Sequence, residues 1–307
     1  MEVISLREYH RLFSLGDTIT ALGFFDGMHL GHQALIDYTV SRAKIMGCAS
    51  AVFTFEEDTT AVKPSALRIT DHATRLSLLE ARGVEYVILA RFQDVRDMTP
   101  MTFVTNVLIG LCHTKEAVCG FNYQFGKGRT GDATMLSQYL SMHGASTHIM
   151  PPALAPDGVV ISSTAIREAI ARGDMERVTS YLGTPYTLTA PVQHGRALGR
   201  TIGAPTINQV FPPYMAVPKK GVYATTCYVG DRPYVAVTNV GTRPTVGGHH
   251  ITCESHLIGF SGSLYGETVK LAFHAFLREE TQFASVEELQ AQIQKDIRKV
   301  ETLYGIH

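Results

Sequence analysis

Apolar residues in the first half of the chain alternate between two rhythms. Residues 18–25 form a β-rich run that stops at the turn pair Asp26-Gly27, and residues 33–45 carry Leu35, Ile36, Val40 and Ala43 at helical spacing. The pattern predicts further strands at 49–55, 84–90 and 116–120, with helices at 75–81 and 103–110 between them. Strands alternating with helices imply an α/β unit, a doubly wound parallel sheet whose ligands sit at the carboxyl ends of its strands. Residues 166–182 read as one helix ended by Gly183-Thr184-Pro185, and the rhythm then changes. Strand patterns at 187–193, 222–229, 234–240, 251–258 and 269–277 follow without long helices, which predicts a small antiparallel β-barrel. The chain closes on a helix. Ser285 and Glu288 form a capping box, and Val286, Leu289, Ile293, Ile297, Val300 and Tyr304 make an apolar stripe read as core packing. The expected boundary lies near 183–187, giving domains 1–184 and 185–307.

Composition narrows the class. A length of 307 residues suits two domains, and 45 % hydrophobic with 18 % charged residues excludes a disordered chain. Lys plus Arg total 27 against 28 Asp plus Glu, so no broad basic face is available for nonspecific nucleic-acid binding. Five cysteines without a CxxC pair predict free thiols in a reducing compartment. No apolar run approaches the ~18–20 residues of a membrane span. Glu2, Arg7 and Glu8 break up any signal-like N-terminus. The expectation is a soluble cytoplasmic protein without nucleic-acid or membrane partners; nothing in the sequence sets its oligomeric state.

The chemistry concentrates in two places. The first is Gly23-Phe24-Phe25-Asp26-Gly27-Met28-His29-Leu30-Gly31-His32, a strand end, a glycine turn and an H-x-G-H pair opening a helix. Helix N-termini present free N–H groups and partial positive charge, which favour anions. His29 and His32 would hydrogen-bond nucleotide phosphates and stabilise a leaving pyrophosphate, and Gly31 would let the phosphate approach the backbone. A metal site is less attractive there, since no third ligand lies nearby. The second is the glycine-rich, basic stretch from His194 to Asn208, which lacks the Walker A pattern. Its glycines would form an arch whose N–H groups cradle phosphates.

The first segment resembles the nucleotidyltransferase signature of bacterial bifunctional riboflavin kinase/FAD synthetases. Gly120-Phe121-Asn122-Tyr123-Gln124-Phe125-Gly126 resembles that family's G-x-[DN]-F-x-F-G loop, and Ile161-Ser162-Ser163-Thr164-Ala165-Ile166-Arg167 its ISSTxIR motif. The stretch from Gly195 to Asn208 is similar to the riboflavin kinase signature, and the likeness continues through Asn239-Val240-Gly241, Glu254-Ser255-His256-Leu257 and Phe276-Leu277-Arg278. The resemblance implies an N-terminal site in which Gly23, Phe24, Asp26, Gly27, Gly31, Ser163, Thr164 and Arg167 bind ATP phosphates. Asn122 and Phe125 would meet the flavin or nucleotide. In the barrel it implies Gly195, Gly199, Arg200, Gly203, Pro205, Asn239 and Arg278 around ATP and flavin, Thr206 and Asn208 on Mg²⁺, and Glu254 as general base. Riboflavin, ATP and FMN would be the small-molecule partners, with FMN and FAD as products.

One departure stands out. The family usually follows its second strand with T-F-x-P-H-P, whereas this chain has Thr54-Phe55-Glu56-Glu57-Asp58. Carboxylates beside a triphosphate repel it unless Mg²⁺ intervenes. The alternatives are therefore a riboflavin kinase with an impaired N-terminal domain, or a flavin-binding sensor.

Overall fold

The computed structural model describes residues 1–56, 67–194, 205–245 and 248–305. They form two compact units, Met1–Ala61 with Thr70–Ser162, and Val62–Ile69 with Ser163–His307.

In the first unit six strands, β1 (Glu2–Ser5), β2 (Thr18–Leu22), β3 (Ala49–Phe55), β4 (Tyr86–Ala90), β5 (Thr114–Gly120) and β6 (Ser146–Met150), pair in the order β1-β4-β3-β2-β5-β6. Every pairing is parallel, as in Leu22 beside both Phe53 and Cys119. Helices α1 (Leu30–Met46), α2 (His72–Ala81) and α3 (Ala133–Ser141) belong to this unit. One core holds Leu22, Phe53, Phe103 and Leu136, and the other Ile19, Ile36, Val52 and Leu79. The strand order reverses at β2 and β5, so the crevice outside their carboxyl ends is the switch point where ligands of such sheets bind. The pattern missed β1 and β6. Both are edge strands, and edge strands carry no long apolar run. Residues 103–109 wind as a π-helix, with Gly110 N–H donating to the Thr105 carbonyl five residues back at 3.0 Å.

In the second unit β7 (Tyr186–Pro191), β8 (Ile207–Val210), β9 (Gly221–Val229), β10 (Arg232–Thr245), β11 (Gly248–Leu257) and β12 (Thr268–Arg278) form an antiparallel sheet ordered β8-β11-β10-β9-β12-β7. Its ends approach closure. Gln193 N–H donates to the Asn208 carbonyl at 2.8 Å, and Gln209 Nε2 donates to the Ala190 and Val269 carbonyls at 2.8 and 2.9 Å. A chain of buried hydroxyls, Ser255, Thr238 and Thr225, links β11, β10 and β9.

The helix expected over 166–182 is instead two, α4 (Ser163–Arg172) and α5 (Met175–Leu182). Gly173 takes a left-handed φ of 79°, and the Asp174 carboxylate caps α5 by accepting from Arg177 N–H at 3.1 Å. A glycine followed by an aspartate is a stop and a start. The closing helix, α6 (Val286–Tyr304), follows the capping box, with Ser285 Oγ accepting from Glu288 N–H at 3.2 Å. Its stripe reaches the core at Ile297 and Val300, whereas Val286 is exposed.

Candidate functional site

In the first unit the site is built on the loop between β2 and α1. Phe25, Gly27 and Met28 all have positive φ, at 56°, 80° and 44°. Non-glycine residues there cost roughly 1–3 kcal/mol each and persist only when their surroundings over-determine them. The surroundings are explicit. Phe25 and Met28 are buried in the core beside the sheet. Thr70 Oγ1 accepts from Gly27 N–H at 3.2 Å, and Thr70 N–H donates to Asp26 Oδ1 at 3.3 Å. Gln33 Nε2 donates to the Met28 carbonyl at 2.8 Å.

This loop delivers His29 as the N-cap of α1. Its Nδ1 accepts from His32 N–H at 3.3 Å, and the two rings stack with centroids 3.6 Å apart. His29 is 7 % exposed, and burial pushes its pKa down to about 4. Burial, with the neighbouring His29, also holds His32 well below the usual histidine range. Both rings are therefore neutral at pH 7. Acceptance at Nδ1 leaves the His29 proton on Nε2, a donor beside the N-terminal amides of α1. His32 Nδ1 is buried with no hydrogen-bond partner among the described residues. Gly31 has a packing reason as well, because a Cβ there would meet the His29 ring and Ala153 at 3.3 Å. A Cβ on Gly23 would meet the Phe25 ring at 3.0 Å.

Sequence reasoning missed Arg75, which is 1 % exposed in α2. Its guanidinium donates to the Phe24 carbonyl at 3.1 Å and the Phe55 carbonyl at 2.9 Å, and lies 5.1 Å from the Phe24 ring centroid. Asn122 is exposed in the loop after β5, on the other side of the switch point. Phe125 was expected against the flavin; the structure puts it in the core, 6 % exposed, against Phe103 and Tyr123. Aromatic residues two apart in a loop read equally well as anchors. Ser163, Thr164 and Arg167 lie in the second unit, at the start of α4, where Arg167 Nε donates to the Leu67 carbonyl at 2.6 Å. Glu56 is half-buried at the end of β3. Glu57 and Asp58 lie outside the described residues, as do Gly195, Gly199, Arg200 and Gly203.

In the barrel, pairing brings together residues that the sequence holds far apart. Glu254 on β11 is exposed and stands opposite Asn208 on β8 and Asn239 on β10. Directly opposed residues share a sheet face, so the three form one row. Asn208 is 6 % exposed, and its Oδ1 has no hydrogen-bond partner among the described residues. A buried orphan acceptor is costly unless a ligand completes it. Thr206 precedes it by two residues. His256 Nδ1 donates to the Pro205 carbonyl at 2.9 Å, tying this segment to the strand of Glu254. Asn239 Nδ2 donates to Glu280 Oε1 at 3.2 Å.

Arg278, expected around ATP and flavin, is paired within the chain. Its Nε and Nη2 grip the buried Asp296 carboxylate of α6 at 2.7–3.1 Å, and Nη1 donates to the Glu279 carbonyl at 3.0 Å. It fastens the closing helix to the barrel. The polar Asp296 beside Ile297 on the apolar stripe was the available signal. All five cysteines are free, and burial pushes the Cys112, Cys119 and Cys227 thiols up to about 12.

Comparison with known proteins gives two family matches, FAD synthetase over residues 14–165 and riboflavin kinase over residues 182–304. A bifunctional riboflavin kinase/FMN adenylyltransferase of Escherichia coli K12 is 33 % identical over 293 residues, covering 94 % of this chain and 93 % of its own. That of Listeria monocytogenes is 35 % identical, covering 91 % and 90 %. A solved structure described as a macrolide-efflux protein of Streptococcus pneumoniae has a TM-score of 0.87 at 31 % identity, covering 98 % of this chain and 99 % of that one. Efflux is that neighbour's description. Among the described residues of this chain, no helix is long and apolar enough to cross a membrane.

Proposed function

This chain belongs to the family of bifunctional riboflavin kinases/FMN adenylyltransferases, and from that premise we propose how its two units divide the chemistry. The enzyme phosphorylates riboflavin to FMN with ATP, and adenylylates FMN with a second ATP to give FAD and pyrophosphate.

Kinase chemistry belongs to the barrel. Glu254 takes the proton from the ribityl 5′-hydroxyl as that oxygen attacks the γ-phosphorus of ATP, and ADP leaves. Asn208 and Thr206 fit a magnesium site, because neutral oxygens serve Mg²⁺ when substrate phosphates complete the octahedron. The observation that carries this reading is the buried Asn208 Oδ1, without a hydrogen-bond partner among the described residues, in the same row as Glu254. Bound there, Mg²⁺ would neutralise charge on the ATP phosphates. Asn239 flanks Glu254 in the row and steadies the substrate end.

Adenylyl transfer belongs to the first unit. An FMN phosphate oxygen attacks the α-phosphorus of ATP, and the α–β bridging oxygen leaves with pyrophosphate. His29 Nε2–H and the first amides of α1 donate to the developing charge. As a neutral donor, His29 acts by hydrogen bonding, beside the positive end of the helix dipole. Asn122, at the neighbouring strand end, reads a ring edge or ribose.

The test is direct. The purified chain is incubated with riboflavin and Mg-ATP, and flavins are resolved by chromatography. FAD is the expected product. FMN alone would leave only the kinase, and neither product would leave a binding protein.

A further inference from the structure

Parallel strands end in carbonyl groups, and a triphosphate bound beyond those ends meets them as negative dipoles. Arg75 sits where that conflict arises. It is fully buried, and its guanidinium gathers the carbonyl oxygen of Phe24, just past β2, and of Phe55, at the end of β3. Thr54 Oγ1 donates to the same Phe24 carbonyl at 3.1 Å. The Phe24 and Phe55 rings stack at 6.3 Å, with the guanidinium beside the Phe24 face. His72 Nδ1 lies 3.1 Å from Nη2, and desolvation, helped by Arg75, pushes that imidazole's pKa down. The positive-φ loop carrying Asp26, Gly27 and His29 starts at this point. Burying a cation is expensive, and a methionine would fill similar space without that cost. A guanidinium is suited to hold two carbonyls at once, because its planar fork fixes their relative direction.

We propose that Arg75 is a positioning residue for adenylyl transfer: it draws the Phe24 and Phe55 carbonyls away from the nucleotide and sets the direction in which the β2–α1 loop presents His29 to ATP. The proposal rests on the assignment of adenylyl transfer to the first unit. Misplacing a reacting group by about 1 Å costs roughly 10²-fold, which sets the scale of the effect.

The experiment uses the full chain with Arg75→Met and Arg75→Lys. FAD formation from supplied FMN is measured as separate kcat and KM for ATP, riboflavin phosphorylation in the same preparation is the internal control, and thermal unfolding gives the folded fraction. Arg75→Met is expected to lower kcat/KM for FAD formation about 10²-fold, mostly in kcat, with kinase activity unchanged. Arg75→Lys, which can hold one carbonyl, is expected to recover about tenfold of that loss. Should Arg75→Met fail to fold, Arg75→Lys decides: about tenfold slower FAD formation at a parental unfolding temperature supports the proposal, and a parental rate overturns it. Parental rates in both variants overturn it, as does a loss that merely tracks the unfolded fraction. Parent chain that makes no FAD sinks the adenylyl-transfer assignment and this proposal together, whereas parent that makes FAD beside two unaffected variants sinks only the proposal.

Discussion

Replacing His29 by asparagine separates its burial from its capping role. Asparagine caps helices well, so it can keep accepting from His32 N–H while the titrating ring is gone. The folded His29 titrates at about 4 and an ordinary one at 6.5, a gap that at about 1.4 kcal/mol per pH unit amounts to ~3 kcal/mol. Between those values the unfolded chain holds the extra proton. This contribution is therefore fully present above pH 6.5 and is lost as pH falls toward 4. His32, lowered in the same direction, steepens the loss. The parent's first unit should thus lose stability steadily from pH 6.5 to pH 5, and His29→Asn should flatten the slope by about 1 kcal/mol per pH unit. The assay is urea unfolding at stepped pH. FAD-forming activity reports the first unit in the parent, and far-UV circular dichroism reports both proteins, since the chain has no tryptophan. Equal slopes in parent and variant would refute the claim that His29 is buried and neutral.

Three further outcomes follow from the second unit. Glu254→Gln should slow FMN formation by about 10²–10⁴ while FAD formation from supplied FMN stays parental, and full kinase activity would remove Glu254 from its role. Asn208→Ala should raise the Mg²⁺ needed for half-maximal kinase rate, and overlaid metal titrations of variant and parent would show that Asn208 holds no metal. Asp296→Asn leaves Arg278 facing a neutral partner and should cost about 3 kcal/mol in the barrel's unfolding, read by calorimetry; an unchanged transition would mean the pair contributes nothing.

Legibility of the sequence followed the distance between the residues involved. The β2–α1 turn could be found because glycines, Asp26 and two histidines crowd into one segment, and the long central strands because their apolar runs are continuous. His29 as the cap was hidden, since histidine is not a preferred capping residue. Arg75 was hidden for a different reason: an arginine in a helix ordinarily reads as a solvated side chain, and only tertiary packing shows what it holds. The row Asn208, Glu254, Asn239 depends on strand register, which no local pattern specifies. Strand β8 went unseen because four residues inside a glycine-rich motif give too little alternation.

The pairing of β7 with β12 has a consequence for how the protein is made. Tyr186 stands opposite Phe273, so the barrel's first strand finds this neighbour only when the last one exists. Translation at ~5–20 residues per second takes on the order of ten seconds to cover that stretch, and the ribosome must then release β12 from its tunnel. The parallel sheet, complete at Met150, is free to form during this interval. Tyr186, Leu188 and Ala190, which end up buried, must wait in solution. Newborn chains would thus be most exposed to chaperone capture, and to mispairing between neighbours on one message, during the seconds before β12 emerges.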